Sequence, residues 1–198
     1  PTMNTPLSDT ALDQLFRTAR TYNGYLDTPV SEAQLHAIWE LMKYGPTSAN
    51  CLPARIIWCV STEAKEKLAA LSMPANGEKI LKAPVTAIIG MDMEFYEQLP
   101  ELFPHTDARS WFVGNAELIE KTAFRNSSLQ GGYFILAARA LGLDTGAMSG
   151  FNNQAVDEAF FAGTNIKSNF ISTLGYGDPA SIFDRSPRPG FERFNTIA

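Results

Sequence analysis

The spacing of apolar and polar positions along the chain predicts helices in five places and strands in three. Leu35, Ile38, Trp39 and Met42 form an apolar stripe at the spacing of an amphipathic helix. The stretch APVTAIIG is apolar along its whole length, which is typical of a strand covered on both faces of a sheet. The predicted helices lie at residues 8–20, 31–44, 62–71, 115–141 and 153–162, and the predicted strands at 54–60, 83–90 and 168–177.

Residues that start and stop helices support these boundaries. Ser8 and Thr62 can each cap a helix N-terminus, and Ser31 with Gln34 forms a capping-box pattern. Gly142 suits the position after the longest helix, which we expect to form the spine of the fold. The apolar side chains of that helix available for burial are Leu118, Ala123, Leu129, Tyr133, Leu136, Ala137 and Leu141.

Three segments lack a regular pattern. Residues 91–114 are aromatic and irregular, and their two prolines limit any helix to short pieces, so we expect an inserted lid there. Residues 144–151 predict a turn-rich link, and the proline-containing tail at 178–198 predicts an extended chain. Because no repeat or linker divides the sequence, we expect one domain over residues 1–198.

The class of fold follows from the balance of these elements. Strands alternating with helices are typical of α/β proteins, but here the long helices outnumber the strands. No G-x-G-x-x-G pattern follows a strand, so an ordinary nucleotide-binding Rossmann domain is disfavoured.

Composition and charge exclude several functions. The 16 basic side chains stand against 21 acidic ones without a basic cluster, so we expect no nucleic-acid partner. No apolar run approaches the ~18 residues of a membrane span, and the charged first thirty residues lack a secretory pattern, so we expect a cytoplasmic protein and no membrane partner. The spacing of Cys51 and Cys59 fits neither a zinc site nor a redox pair, so we expect free thiols and no metal.

Turns rich in small polar residues occur at several points and could bind an anion through backbone N–H groups. Each is a weak signal by itself, because such residues also make ordinary turns. They are ARTYNGY at 19–25, PTSANCLP at 46–53, NGEK at 76–79 and DTGAMSGF at 144–151, with a basic DRSPR at 184–188.

The order of these turns resembles that of the FMN-dependent nitroreductase family over nearly the whole chain. The resemblance implies an α+β fold with a central, mostly antiparallel sheet flanked by helices, in an intertwined homodimer with FMN at the subunit interface. Within the family, blocks such as GPTSANCLPARI, EFYEQLPELFPHTDARSWF, TAFRNSSLQ and FFAGTNIKSN are most similar to members that reduce malonic semialdehyde in pyrimidine degradation.

For the flavin phosphate, the resemblance implies a clamp formed by Arg20 and Thr21 and joined by Arg185 or Arg188 from the tail. Such residues suit the role because a phosphate dianion partly removed from water needs fixed cations and donors. The alternative for these arginines is a solvated surface position.

Two further groups are implied for the rest of the flavin. Asn76 and Lys79 match the residues that bind the ribityl chain, although Asn-Gly also makes a good turn by itself. The loop at 46–53 matches the segment that reaches the flavin of the other subunit, with Leu52-Pro53-Ala54 where the family usually has Gln-Pro-Trp. The residues of that loop implied to contact the cofactor are Pro46, Thr47, Ser48 and Asn50.

The implied catalytic contacts are backbone groups. Met148, Ser149 and Gly150 replace the commoner Ile-Glu-Gly, and the N–H groups of Ser149 and Gly150 are implied to face the hydride-accepting edge of the flavin. Such donors would stabilise negative charge on the reduced ring without any side-chain acid or base. In the lid, Arg109 is a candidate receptor for a substrate carboxylate.

The resemblance implies an NAD(P)H oxidoreductase in which malonic semialdehyde is reduced to 3-hydroxypropionate by ping-pong hydride transfer. A broad nitro, quinone or enal reductase is the alternative within the same class. A flavin-binding protein without turnover is the alternative in another class, because binding loops alone do not prove catalysis.

Overall fold

The computed structural model describes residues 1–198, and its centre is an antiparallel sheet of four strands in the order β1-β2-β4-β3. The central pair, β2 and β4, is bordered by the edge strands β1 and β3. The strands are β1 (Ala54–Cys59), β2 (Val85–Asp92), β3 (Asp144–Met148) and β4 (Ile166–Gly175).

Helices cover both faces of this sheet. The longest of them, α6, crosses one face and is capped by the Asn115 side chain, which accepts a hydrogen bond from the Leu118 N–H at 3.2 Å. The helices are α1 (Asp9–Leu12), α2 (Glu32–Met42), α3 (Thr62–Ala70), α4 (Pro74–Lys82), α5 (Leu99–Leu102), α6 (Ala116–Ala140), α7 (Asn153–Phe160) and α8 (Phe191–Phe194).

The core divides according to the two faces of β2. Val85 and Ile89 pack with α2 and α6 on one face, whereas Ile88 packs with α3, α4 and α7 on the other. Each of these side chains is fully buried, which contributes about 1.5–3 kcal/mol for a residue of this size. The prediction of a strand covered on both faces is therefore confirmed.

The lid has a core of its own. Phe95 and Phe112 stack edge to face with ring centroids 4.9 Å apart, and they bury Cys51 and Ala123 beneath the lid. Only short helical pieces occur in this segment, as its prolines predict, but Met91 and Asp92 belong to β2.

Several sequence expectations need correction. The helix expected from Thr62 is capped by the side chain of Ser61, which accepts from the Ala64 N–H at 3.1 Å. The expected link at 144–151 begins with β3, because this segment pairs with β4. Leu129, Tyr133 and Leu141 were expected to be available for burial, but each is exposed in the single chain.

None of the helices combines the length and the apolarity that a membrane span requires.

Candidate functional site

Four arginines line a cavity of about 370 Å³ between the end of the first helical segment and the C-terminal tail. Three of them, Arg20, Arg185 and Arg188, were predicted to bind phosphate, and Thr21 lines the same cavity. Asp184 is the only acidic residue in its wall, so the cavity carries a marked excess of positive charge.

The arginines also fasten the tail to the N-terminal segment. Arg20 donates through Nη2 to the carbonyl of Phe183, and Arg185 donates through Nη2 to the carbonyls of Arg17 and Ala19 at 3.2 and 2.8 Å. In both side chains these contacts use a single terminal nitrogen. The other N–H groups of each guanidinium are therefore available to an anion in the cavity.

The fourth arginine, Arg139, was missed by the sequence reasoning. It is half-buried in the last turn of α6, and its Nη1 donates to the Leu15 carbonyl at 2.9 Å. Burial lowers the pKa of Arg139, an effect that Asp144 opposes. A basic residue in a last helical turn is ordinarily explained by the helix dipole, so the sequence held no separate signal for it.

Beside the cavity, Asp144 begins β3 and is also half-buried. Burial raises the pKa of its carboxyl, while a hydrogen bond from the Gly177 N–H at 2.9 Å and the charge of Arg139 act in the opposite direction. Thr21 pairs with Thr145 of β3 as an isolated parallel bridge. The cavity is thus attached directly to the start of an edge strand.

Past the other end of β3, Ser149 and Gly150 present unused donors. Neither of their N–H groups donates a hydrogen bond within the chain. The Gly150 carbonyl, by contrast, accepts from the Met73 N–H and from Asn76 Nδ2, each at 3.0 Å. Met73 and Asn76 therefore fix the Gly150 carbonyl, while the N–H groups of Ser149 and Gly150 have no partner within the chain and stay free for a ligand.

Asn76 and Lys79 lie on α4, so the possibility that Asn76-Gly77 makes a turn is wrong. Asn76 is nevertheless brought next to Gly150, whose carbonyl accepts from its Nδ2. Lys79 is half-buried, and its side-chain ammonium forms no ion pair or hydrogen bond within the chain, whereas its carbonyl accepts from the Ala83 N–H at 3.1 Å. The Met148 side chain is partly buried and packs against the core beside α3, α4 and α7.

The length of β3 sets the distance between these two regions. From Thr145 to Ser149 an extended chain covers about 13 Å at roughly 3.3 Å per residue. The arginine cavity and the free N–H groups thus lie near opposite ends of β3 within a single chain.

The loop predicted to meet the flavin is held by α6. The Ser48 N–H donates to Oδ1 of Asn126 at 2.9 Å, and the Leu52 N–H donates to Oγ1 of Thr47 at 3.1 Å. Pro46 and Ser48 are exposed. The loop is strained, because the φ angles of Ala49, Asn50 and Leu52 are 50°, 50° and 39°, in a region that costs non-glycine residues about 1–3 kcal/mol each.

Two residues of α6 that hold this loop were also missed. Asn126 and Gln130 are each 1% exposed, and Gln130 Oε1 accepts from the Ala54 N–H at 2.8 Å. Together with Thr122 they form a polar stripe at i, i+4 and i+8 on the buried face of the helix. Such a stripe within TAFRNSSLQ was the signal that could have found them.

The predicted residues therefore fall into two groups. Asn126 and Arg139 lie about 20 Å apart along α6, at about 1.5 Å per residue. The loop and the lid lie at the Asn126 end, where Asn50 Nδ2 donates to the carbonyl of Leu102 at 2.9 Å. The structure brings the cavity and β3 together but leaves the loop and Arg109 away from them.

The chain is thus an α+β domain in which a cavity lined by four arginines lies next to the start of β3. The chain belongs to the nitroreductase family, whose family model matches residues 16–176. A candidate NADH dehydrogenase/NAD(P)H nitroreductase of Burkholderia lata is 62% identical over 188 residues, which cover 95% of this chain and 96% of the relative. A relative of the same description from Stenotrophomonas maltophilia is 58% identical over 99% of this chain and all of its own length.

Solved structures show the same fold. A candidate nitroreductase of Exiguobacterium sibiricum, crystallised in complex with FMN, superimposes with a TM-score of 0.85 over the full length of both chains at 21% identity. A candidate nitroreductase of Bacillus subtilis gives a TM-score of 0.83 over 96% of this chain and all of its own, at 20% identity. The expected α+β nitroreductase-like fold is confirmed.

Proposed function

We propose that this protein is an FMN-dependent NAD(P)H oxidoreductase. The observation that carries the proposal is the placement of an arginine cavity near one end of β3 and of the free Ser149 and Gly150 N–H groups at the other. The FMN in the Exiguobacterium sibiricum structure and the NAD(P)H in the names of the curated relatives support this assignment.

The residues present fit FMN. Arg20, Thr21, Arg185 and Arg188 would hold its phosphate, since forked guanidinium donors suit a dianion. When bound, FMN accepts a hydride from NAD(P)H and supplies it to a second substrate.

Beyond the phosphate, Asn76 and the half-buried Lys79 would hold the polar chain of the cofactor. Ser149 and Gly150 would donate to its ring and favour the form that carries more negative charge. No side chain is required to move a proton in this part of the site.

For the acceptor, the names of the relatives favour nitro compounds, which places a broad nitro, quinone or enal reductase first. Malonic semialdehyde is a second candidate, supported by the sequence blocks described above. Its reduction to 3-hydroxypropionate places a hydride on the carbonyl carbon and a proton on the oxygen. A role in pyrimidine degradation depends on that second candidate.

The proposal includes a homodimer in which each site uses both chains. The loop and lid lie about 20 Å from the arginine cavity along α6, so in one chain they are remote from the cavity proposed to hold the phosphate. A second copy could supply them. Exposed apolar side chains support such pairing: Phe124, Leu129 and Tyr133 on α6, and Phe183, Phe191, Phe194 and Ile197 in the tail.

A groove beside the edge strand supports the same pairing. Its volume is about 700 Å³, it lies between α2 and β1, and Trp39 and Trp58 form part of its wall. The backbone of an edge strand offers unpaired groups to another chain, and the exposed apolar side chains in the tail of a second copy would suit the apolar wall of this groove.

The decisive experiment starts from protein loaded with FMN. Without oxygen, NADH or NADPH should bleach the yellow flavin band, and the bleached protein should regain its colour when a quinone, a nitroaromatic compound or malonic semialdehyde is added. Colour regained with malonic semialdehyde alone would favour the semialdehyde reductase. Loaded protein that neither nicotinamide bleaches would favour the flavin-binding protein without turnover and overturn the proposal.

A further inference from the structure

Arg109 is already occupied by a carboxylate of its own chain. Its Nε donates to Oε2 of Glu97 at 3.0 Å and its Nη2 to Oε1 at 2.8 Å, so the two side chains meet in a bidentate fork. The guanidinium carbon also lies 5.9 Å from the ring centroid of Tyr96. The hydrogen bonds from Arg109 favour the charged form of Glu97 and lower the pKa of its carboxyl.

This ion pair is poorly explained as a support for the fold. The side chains of Arg109 and Glu97 are 42% and 45% exposed, and exposed ion pairs contribute little to stability. The lid is held instead by its apolar core, in which Phe95, Leu99 and Phe112 are almost fully buried.

The lid and the 46–50 loop are one connected unit. Cys51 and Ala49 pack in the lid core, and Asn50 Nδ2 donates to the carbonyl of Leu102. Wherever the loop approaches a flavin, the lid with its charge pair comes with it.

A substrate carboxylate can use the fork of Arg109 only by displacing Glu97. A group tethered in the same chain competes at an effective concentration on the order of millimolar or higher. An anionic acceptor at lower concentration would therefore find a lid whose positive charge is already neutralised, whereas an uncharged acceptor has nothing to displace.

We propose that Glu97 is a specificity-determining residue that occupies Arg109 and makes the acceptor site select uncharged acceptors over carboxylates. This inference rests on the proposed oxidoreductase function. It also predicts that malonic semialdehyde, an anion at neutral pH, is a poor acceptor of the unaltered protein until Glu97 is removed.

The test compares two nitroaromatic acceptors that differ in charge, para-nitrobenzoate and para-nitrobenzamide. With FMN-loaded protein and a saturating nicotinamide donor, Glu97→Gln should raise the benzoate-to-benzamide ratio of kcat/KM about tenfold or more, because a freed guanidinium gains a charged hydrogen-bond partner. The gain should come from a lower KM for the benzoate and should be smaller at high salt.

Two further variants separate this role from a structural one. In the double variant Glu97→Gln/Arg109→Gln the gain should disappear, because the receptor is gone. Glu40→Gln removes a comparable exposed partner, that of Lys43 at 2.5 Å on α2, and should leave the ratio unchanged.

The outcomes distinguish the two proposals. Suppose that the unaltered protein reduces the benzamide. The role of Glu97 is then refuted, while the oxidoreductase assignment stands, if Glu97→Gln leaves the benzoate-to-benzamide ratio of kcat/KM unchanged. The same holds if the increase in this ratio persists in the double variant. If the unaltered, FMN-loaded protein reduces neither acceptor and no quinone or aldehyde, the oxidoreductase assignment fails and the role of Glu97 fails with it.

Discussion

Replacing Arg20 by glutamine tests the assignment of the arginine cavity to a phosphate. Arg20 is half-buried as a residue, and only Nη2 of its guanidinium is used within the chain, in the contact with the Phe183 carbonyl. Glutamine keeps a polar side chain of moderate length but removes the charge and the fork. The lost interaction should therefore be the one with the phosphate dianion.

The size of the effect follows from the surroundings of Arg20. A hydrogen bond to a charged group contributes about 1.5–3 kcal/mol, and partial exposure with three neighbouring arginines points to the lower end. A loss of about 1.5 kcal/mol corresponds to an approximately tenfold weaker binding of FMN. Riboflavin lacks the phosphate, so its binding should change much less.

The assay is a titration of flavin-free protein with FMN and, separately, with riboflavin, followed by quenching of flavin fluorescence. Arg193→Gln, on α8 and outside the cavity, is the control and should change neither titration. An equal loss of affinity for FMN and for riboflavin would mean that Arg20 acts by holding the tail in place through its contact with the Phe183 carbonyl, and not by binding the phosphate. An unchanged FMN affinity would refute the assignment of the cavity.

The remaining predictions concern three glycines and the two cysteines. A Cβ at Gly131 would lie 2.3 Å from a phenylalanine ring on β4, whereas one at Gly132 would meet nothing within 4 Å. Gly131→Ala should therefore lower the free energy of unfolding by about 1–3 kcal/mol, and Gly132→Ala should raise it by about 0.5–1 kcal/mol. Thermal unfolding measures both, and equal melting temperatures for the two variants would contradict the packing. Gly150→Ala would bring a Cβ to 2.6 Å from the amide nitrogen of the neighbouring asparagine and should weaken FMN and riboflavin binding alike, so a loss confined to FMN would speak against a ring contact. Burial raises the pKa of Cys51 and of Cys59 to about 11 from an ordinary 9.0, so neither thiol should react with a thiol reagent near neutral pH unless denaturant is present. Because both pKa values are raised in the folded chain, the thiols contribute fully to the free energy of unfolding below about pH 9, and this contribution falls as the pH rises towards 11. Urea titrations in which the free energy of unfolding rises between pH 9 and pH 11 would contradict this prediction.

The elements with strong local signals could be predicted from the sequence. Ser31 caps α2 together with Gln34, as the capping-box pattern predicts, and Asn115 to Leu141 contains one long helix. These features depend on residues close together in the chain, so the local sequence is sufficient to specify them.

The elements that depend on distant partners were missed. DTGAM contains no run of β-branched residues, and it becomes β3 because it pairs with β4, with Gly146 opposite Thr173. Asn76-Gly77 lies in a helix because α4 packs closely on α3, where a Cβ at Gly77 would come within 3.0 Å of the Ala69 carbonyl oxygen.

The candidate site divides in the same way. The order of small turns, through the family resemblance that it carries, pointed to Arg20, Asn76 and Gly150 as candidate site residues. Arg139 and Asn126 look like ordinary helix residues, and only the fold shows that one lines the cavity and the other holds the loop. The exposure of apolar side chains on α6 could not be predicted, since a periodic pattern does not say whether a face packs against its own chain or another.

The central claim is that each flavin site combines the cavity of one chain with the loop of another, and a heterodimer tests it most directly. One chain carries Arg20→Glu, which reverses the charge in the cavity, and the other carries Ser48→Phe, which places a bulky ring on the exposed loop. If sites are shared, one of the two sites in the heterodimer has both parts intact. The account predicts one tightly bound FMN per heterodimer and none in either variant homodimer, whereas a heterodimer as empty as both homodimers would contradict it.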